Sequence, residues 1–180
     1  RSVGEAKKWW SITSNDDGTK LAAVVNGGSI WTLDTSEDSG APWTEVTAFS
    51  GDNGLNWVSI TSNADGDKLA AVVSGGNIWT SVDSGASWTE QSYQGGTTWT
   101  SIAITSAAVD VGDGHVEHKL AAVGDGSGSG DYIFTSEDSG SFFSKADYTC
   151  DPGCDSLDER TDFEPQLWKS IASDADGSVL

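Results

Sequence analysis

The chain has 180 residues, of which 28 are acidic and nine are basic, so its formal net charge at pH 7 is −19. This charge argues against nucleic acid or an anionic membrane as a partner, because neutralising phosphate groups requires a basic surface. No run of apolar residues approaches the roughly 20 that a membrane-spanning helix needs, so no membrane insertion is expected.

The first predicted unit begins at Trp10 and reads WSITSNDDGTKLAAVVNGGSIWTLDTSEDSGAPWTEV. It contains an alternating run, a continuous apolar run, a β-branched and aromatic run, and a second alternating run. Turn residues separate these runs, and no window has a helical period. The pattern predicts four short antiparallel strands.

The second unit begins at Trp57 and nearly repeats the first: WVSITSNADGDKLAAVVSGGNIWTSVDSGASWTEQ. The third begins at Trp99 and carries acidic insertions, and the fourth begins at Trp168 with WKSIASDADGSVL. Repeats of about forty residues with four strands each are typical of β-propeller blades. The prediction is an all-β propeller segment that belongs to a larger propeller domain. Its three full blades and the start of a fourth span residues 9–53, 54–96, 97–166 and 167–180.

An acidic turn joins the third and fourth strands of each full unit: SEDSGAPW, SVDSGASW and SEDSGSFF. The Asp side chain in such a turn can accept hydrogen bonds from nearby backbone N–H groups. The Gly two residues later allows a backbone conformation that other residues disfavour, and the aromatic side chain can fold under the turn. Because the turn recurs in every blade, we expect a structural role, since a catalytic residue is needed only once.

These turns resemble the Asp-box, Ser/Thr-x-Asp-x-Gly-x-x-Trp/Phe, of the bacterial neuraminidase repeat found in sialidase-like, sortilin-like and xyloglucan-hydrolase-like propellers. The resemblance implies a propeller fold and leaves function open, because that fold carries enzymes, receptors and scaffolds alike. Carried over by position, the structural box residues are Ser36, Asp38, Gly40, Trp43, Ser81, Asp83, Gly85, Trp88, Ser136, Asp138, Gly140 and Phe143.

The third unit holds the remaining candidate sites. Cys150 and Cys154, in CDPGC, are predicted to form a small disulfide loop, as in an oxidising compartment. Asp113, Asp125 and Asp131 lie among glycines, and calcium takes several oxygen ligands in such loops. A calcium site and plain solvated acidic loops are the two interpretations; no other cofactor is expected. The segment HVEH, residues 115–118, reads as a polar insertion rather than a metal site.

No catalytic constellation stands out. A sialidase needs several arginines for the substrate carboxylate, and this chain has only Arg1 and Arg160. The leading hypothesis is a non-catalytic extracellular or cell-surface propeller that serves as a binding or assembly scaffold. The alternative is a glycoside-hydrolase segment whose catalytic residues lie partly outside this chain; an organelle-lumen assembly factor is a third. Expected partners are a protein or glycan, together with neighbouring blades or other copies that close the ring.

Overall fold

A computed structural model describes residues 6–47, 54–91, 97–110, 116–126, 130–136, 138, 144–145 and 169–172. Within these residues the fold is all-β, as predicted from the sequence, with strands and turns and no helix. The described residues accordingly contain no helix that is long and apolar enough to cross a membrane.

Three four-stranded antiparallel units follow one another along the chain, and we call them blades 1, 2 and 3. Blade 1 consists of β1 (Trp9–Ser14), β2 (Lys20–Gly28), β3 (Ile30–Asp34) and β4 (Thr44–Val46). Blade 2 consists of β5 (Leu55–Ser62), β6 (Leu69–Val73), β7 (Ile78–Ser81) and β8 (Thr89–Gln91).

Blade 3 has the same order with a two-stranded hairpin inserted after its first strand. Its strands are β9 (Thr97–Ile104), β12 (Leu120–Gly126), β13 (Gly130–Ser136) and β14 (Ser144–Lys145), and the inserted hairpin is β10 (Val109–Asp110) with β11 (Val116–Glu117). Blades 1 and 2 are also joined by backbone pairing, because the end of β2 pairs with the start of β5. The proposed blade boundaries stay predictions.

The start of blade 1 differs from its predicted alignment. Trp9 pairs with Val25 as Trp57 pairs with Val73, and a register shift follows both tryptophans. Trp9, not Trp10, is therefore the counterpart of Trp57. The prediction based on Trp10 was wrong because it required one residue fewer after the tryptophan than in blade 2, whereas counting from Trp9 matches the Trp-x-Ser-Ile pattern without a gap.

The second strand of blade 2 is buried on both of its faces, which explains its continuous apolar sequence. Ala70 and Val72 pack in a core cluster with residues of blade 3. Leu69, Ala71 and Val73 pack in a second cluster with residues of blade 1. Each interface between blades is thus a separate hydrophobic core, built by side chains from two neighbouring sheets.

An aromatic pair recurs within each blade, between the first and third strands. The pairs meet edge to face, a favourable ring geometry, at centroid distances of 6.2, 6.3 and 5.1 Å for Trp9–Trp31, Trp57–Trp79 and Trp99–Phe134. Trp57 and Trp99 are 0% and 1% exposed. These first-strand tryptophans are core residues, as the repeat predicts.

Replacing Trp57 with Ala should destabilise the protein far more than replacing Trp9 with Ala, although both occupy the same position in the repeat. Trp57 is fully buried between two blades, so its loss should cost about 3–5 kcal/mol of unfolding free energy. Trp9 is partly exposed, and its loss should cost about half of that or less. Urea unfolding of both variants tests this, and equal losses would show that the two positions are equally packed.

Candidate functional site

The interfaces between successive blades repeat the same indole hydrogen bond. Trp57 Nε1 donates to the carbonyl oxygen of Gly28 in blade 1 at 3.2 Å. Trp99 Nε1 donates to the carbonyl oxygen of Gly76 in blade 2 at 3.0 Å. Both glycines lie at the hairpin between the second and third strands. Each buried tryptophan therefore satisfies its one polar atom on the preceding blade.

A serine hydroxyl in each first strand accepts a backbone N–H from the next first strand. This bond joins blade 1 to blade 2, blade 2 to blade 3, and blade 3 to residues 169–172 of the fourth unit. The bonds are Ile60 N to Ser11 Oγ at 3.4 Å, Ile102 N to Ser59 Oγ at 3.3 Å, and Ile171 N to Ser101 Oγ at 3.3 Å. Residues 169–172 of the fourth unit therefore make the same hydrogen bond to blade 3 that the first strands of blades 2 and 3 make to the preceding blade.

Turns at the opposite end of the blades are also linked in series. Asp16 N donates to the Ala64 carbonyl at 3.0 Å, and Ala64 N donates to the Ser106 carbonyl at 2.8 Å. These three residues occupy corresponding turns in blades 1, 2 and 3. Blades 2 and 3 therefore donate their first-strand Trp and Ile N–H groups to the preceding blade, whereas the turn N–H groups of blades 1 and 2 donate to the following blade.

The donating side of blade 1 is uncovered in the described structure. Trp9, Trp10 and Ile12 are 41%, 60% and 61% exposed. The corresponding isoleucines of blades 2 and 3, Ile60 and Ile102, are 5% and 4% exposed. We call the surface that Trp9 and Ile12 form the open face. It is apolar, and the equivalent residues Trp57 and Ile60 pack in the hydrophobic core between blades 1 and 2. Trp10 corresponds to Val58, which packs against the cluster on the other side of its sheet.

The open face is held in place by ordered aromatic neighbours. Trp9 contacts Trp31 and also Trp43, whose ring centroid lies 6.3 Å away. Lys7 Nζ lies 4.7 Å from the Trp31 ring centroid, within the range of a cation–π contact. Trp43, a residue assigned to the first acidic turn, therefore packs against the tryptophan of the open face.

The second acidic turn forms a closed network around Asp83. Its Oδ1 accepts from Ser81 Oγ and Ser87 N, both at 2.8 Å, and its Oδ2 accepts from Ser87 Oγ at 2.5 Å. Gly85 has φ +86°, and Trp88 Nε1 folds back to donate to its carbonyl at 3.1 Å. All of the donors to Asp83 belong to the turn, so the turn itself satisfies the hydrogen-bonding capacity of the Asp83 carboxylate.

The first acidic turn is built differently, because three extra residues precede it. Leu33 pairs with Leu21 at the register position that Ser81 occupies opposite Leu69. Asp38 Oδ1 accepts from Gly40 N at 2.6 Å, and the exposed Ser36 hydroxyl donates to Asp34 instead. Pro42 also stands where blade 2 has Ser87, so the two hydrogen bonds that Ser87 donates to Asp83 have no counterpart at Asp38, and the shared motif gives two local structures.

Of the third acidic turn, Ser136 and Asp138 are described, and Ser136 Oγ donates to Asp138 Oδ1 at 2.6 Å. Gly140 and Phe143 lie outside the described residues. The structural assignment of the twelve box residues stays a prediction.

Hydrogen bonds to carboxylates lower several aspartate pKa values. The Ser87 hydroxyl and backbone N–H hold the pKa of Asp83 below its usual value, and the corresponding groups of Ser36 and Thr19 do the same for Asp34 and Asp17. A carboxyl whose pKa is lower when folded stabilises the fold above its unfolded pKa, and this contribution is lost as pH falls through the folded value.

A groove of about 600 Å³ lies between blades 1 and 2 beside the acidic turns. Asp34, Glu45 and Asp83 contribute carboxylates to its lining, and Lys20 contributes an ammonium group. Lys20 Nζ donates to the Asp65 carbonyl at 3.2 Å and to Ser84 Oγ at 3.4 Å. The lysine therefore acts as a bridge between blades.

His118 is a buried residue that sequence analysis treated as part of a polar insertion. Its Nε2 lies 3.2 Å from Asn63 Nδ2, and its Nδ1 lies 3.0 Å from the Thr105 carbonyl. If Nδ1 carries the proton, Nε2 accepts from Asn63, so the imidazole bridges blades 2 and 3. Its position just before the Lys-Leu-Ala-Ala run, where blades 1 and 2 have Thr19 and Asp67, was the available signal.

Most residues of the other predicted sites lie outside the described part of the chain. Cys150, Cys154 and Asp113 are not among the described residues, and Asp125 and Asp131 are described only by their backbone pairing. Within the described part of the chain, no three His, Cys, Asp or Glu side chains are grouped to hold a metal ion. The disulfide and calcium hypotheses stay untested predictions.

Comparisons with known proteins support the fold. No family model and no curated protein sequence matches the chain. Among solved structures, YCF48 bound to D1 peptide is 13% identical with a TM-score of 0.53, over 81% of this chain and 42% of that one. The GH74 xyloglucanase from Xanthomonas campestris is 18% identical with a TM-score of 0.56, over 89% of this chain and 23% of that one. Both are β-propellers.

The described units are therefore part of a propeller, as predicted, and the chain spans less than half the length of either of these structures. At this level of identity the likeness concerns the fold alone. Neither comparison confirms the Asp-box family.

Asp83→Ala should destabilise the protein by about 1–3 kcal/mol at pH 7, because it leaves several turn hydrogen bonds without an acceptor. Asp38→Ala is the matched control, since Asp38 accepts one described turn bond, and it should cost less than about 1 kcal/mol. Urea unfolding measures both.

The difference in unfolding free energy between Asp83→Ala and the unaltered protein should become smaller when urea unfolding is repeated below pH 4, because the Asp83 carboxylate of the unaltered protein becomes protonated. A difference in unfolding free energy that stays the same or grows in acid would contradict this role of the charged carboxylate. Equal losses of unfolding free energy for Asp83→Ala and Asp38→Ala at pH 7 would contradict the structural difference between the two turns.

Proposed function

We propose that this chain is a non-catalytic propeller segment, at the cell surface or outside the cell, that serves as a protein-binding or assembly scaffold. The observation that carries the proposal is the open face. Positions equivalent to Trp9 and Ile12 are covered by another blade in blades 2 and 3 and are uncovered in blade 1. We further propose that the acidic turns are true Asp-boxes.

The chemistry of the open face favours a protein partner. Trp9 and Ile12 of the open face, together with the neighbouring Trp10, are exposed apolar side chains within four residues of one strand. Contiguous apolar patches on soluble proteins mark interaction sites, whereas single exposed apolar residues such as Val82 are ordinary. Tryptophan is also enriched among residues that dominate binding energy at interfaces.

The comparisons are compatible with a binding role. YCF48, whose solved structure contains a bound peptide, has a similar fold. A propeller with this fold can thus bind a peptide. The strong negative charge keeps a segment with an apolar face soluble.

The alternative is a segment of a glycoside hydrolase. The observation that favours it is the similar fold of the GH74 xyloglucanase, and Asp110 and Glu117 of the inserted hairpin are candidate carboxyl groups. Hydrolases of this class need two carboxyl groups about 5–10 Å apart. Hydrolysis of xyloglucan by this chain, abolished by Asp110→Asn or Glu117→Gln, would favour the enzyme.

A site-specific crosslinking experiment tests the scaffold proposal. A photoreactive residue placed at Ile12 should crosslink one defined protein segment from the native source, identified by mass spectrometry. The same residue at Val82 is the matched control, because Val82 is as exposed as Ile12 and lies outside the open face. Binding of the purified partner should weaken at least about tenfold in Ile12→Asp, since a buried unpaired charge is costly.

Val82→Asp should leave binding unchanged. Crosslinking that is equal at Ile12 and Val82, or binding that tolerates Ile12→Asp, would contradict a protein partner on the open face.

A further inference from the structure

We propose that the ring face of Trp31, with Trp9 and Trp43 beside it, is a binding site for a quaternary ammonium group such as that of choline. In this structure the side chain of Lys7 occupies the site. The ligand is a small cation, so the site goes beyond the proposed protein-binding function and does not rest on it.

Lys7 shows where a cation binds. Its Nζ lies 4.7 Å from the centroid of the Trp31 ring, and a cation within about 6 Å of a ring centroid is attracted by the negative face of the ring. Trp9 meets Trp31 edge to face at a centroid distance of 6.2 Å and contacts Trp43 at 6.3 Å. Three indole rings, the strongest partners for a cation among side chains, thus form one aromatic cluster at this position.

The same position offers an aromatic face but no hydrogen-bond acceptor. Within the described residues, the Lys7 ammonium makes no hydrogen bond and no ion pair, so its three N–H donors depend on water. A quaternary ammonium carries the same charge and has no N–H group to satisfy. An aromatic site without acceptors therefore fits a quaternary ammonium better than a primary one.

Glu45 supplies a negative charge beside the aromatic cluster. It pairs directly with Trp31 across β3 and β4, so the two side chains are neighbours. Glu45 is exposed, and no described residue bonds to its carboxylate. In blade 2 the corresponding Glu90 accepts from Asn77 Nδ2 at 2.8 Å. Blade 1 has Ser29 in place of that asparagine, so the Glu45 carboxylate is left to attract a cation.

Blade 2 repeats the tryptophans without the cation. Leu55 stands two residues before Trp57, as Lys7 stands two residues before Trp9. Leu55 packs against the apolar cluster between blades 1 and 2. An ammonium therefore replaces an apolar packing residue in blade 1, which makes the cation position a feature of that blade and not of the repeat.

The outer rings of the cluster are accessible to a small ligand. Trp79 and Trp88 are the blade 2 counterparts of Trp31 and Trp43, and all four are partly exposed. Trp79 and Trp88 keep this exposure although they pack against the cluster that blades 1 and 2 share. Access to the Trp31 ring therefore does not require the first-strand tryptophan to be uncovered.

An NMR titration of the protein with choline chloride tests the site, with sodium chloride titrated separately as the control for ionic strength. The indole N–H signal of Trp31 should shift until it saturates, and the Lys7 side-chain signals should move to those of a solvated lysine. Ethanolamine is the matched ligand, because it is choline without the three methyl groups. It should bind at least about fivefold more weakly than choline.

Two exposed-site substitutions probe the roles of the neighbouring charges. Lys7→Gln should tighten choline binding by about two- to fivefold, because it removes the competing cation and leaves every ring in place. Glu45→Gln should weaken binding by about twofold or more, whereas Glu90→Gln, at the same position of blade 2, should leave it unchanged. A Trp31 signal that choline does not shift, ethanolamine binding equal to choline binding, or Lys7→Gln that binds no more tightly would overturn the proposal.

The quaternary ammonium group occurs both in free small molecules and in lipid headgroups, and vesicles separate these sources. Co-sedimentation of the protein with phosphatidylcholine vesicles, reversed by free choline, would identify the headgroup as the ligand. Saturable choline binding without co-sedimentation would identify a free molecule, and either result supports the ammonium site. A protein without choline binding would lack the site, while crosslinking at Ile12 would still test the scaffold function separately.

Discussion

The structure depends on the hydrogen bond that each buried first-strand tryptophan makes to the blade before it. Trp57 and Trp99 are large enough to fill the interface between two sheets, yet each carries an N–H that must find an acceptor once water is excluded. The glycine hairpins supply that acceptor at 3.2 and 3.0 Å. Apolar packing and polar satisfaction therefore require the same geometry, which fixes how one blade sits on the next.

This constraint gives the molecule a direction. Blades 2 and 3 donate their first-strand Trp and Ile N–H groups from the side that faces the preceding blade, so blades add in series. In blade 1 that side is the open face. The second acidic turn, in contrast, forms its main hydrogen bonds within one blade. The hydrogen bonds to Asp83 close this turn, and the Ser84 N–H donates to the Asp67 carbonyl of the same blade at 3.0 Å.

Much of this fold could be predicted from the sequence, because each repeat unit contains four strand-like runs that turn residues separate. The apolar run Leu69–Val73 reads as a doubly buried strand, and it is one. The register at Trp9 was also predictable, because Trp9 matches the Trp-x-Ser-Ile pattern of blade 2 without a gap, but the choice of Trp10 missed that spacing. The different first turn was not predicted, although the sequence shows a three-residue insertion that places Leu33 where blade 2 has Ser81, and Pro42 in place of Ser87.

The candidate site was less accessible from sequence than the fold. Recurrence of the tryptophans correctly indicated packing, but exposure of one copy depends on what lies beside it in three dimensions. The role of His118 was missed for a similar reason: its partners Asn63 and Thr105 come from two different blades. Local patterns predict elements well, whereas contacts between elements set burial and hydrogen bonding.

The most direct test of the account is a comparison of amide hydrogen exchange at the corresponding first-strand isoleucines of the unaltered monomeric chain. The account predicts slow exchange at Ile60 and Ile102, whose N–H groups are bonded to serine hydroxyls between blades, and exchange at Ile12 that is faster by at least about tenfold. Exchange at Ile12 as slow as at Ile60 in the monomer would contradict it, because the open face would then already be covered.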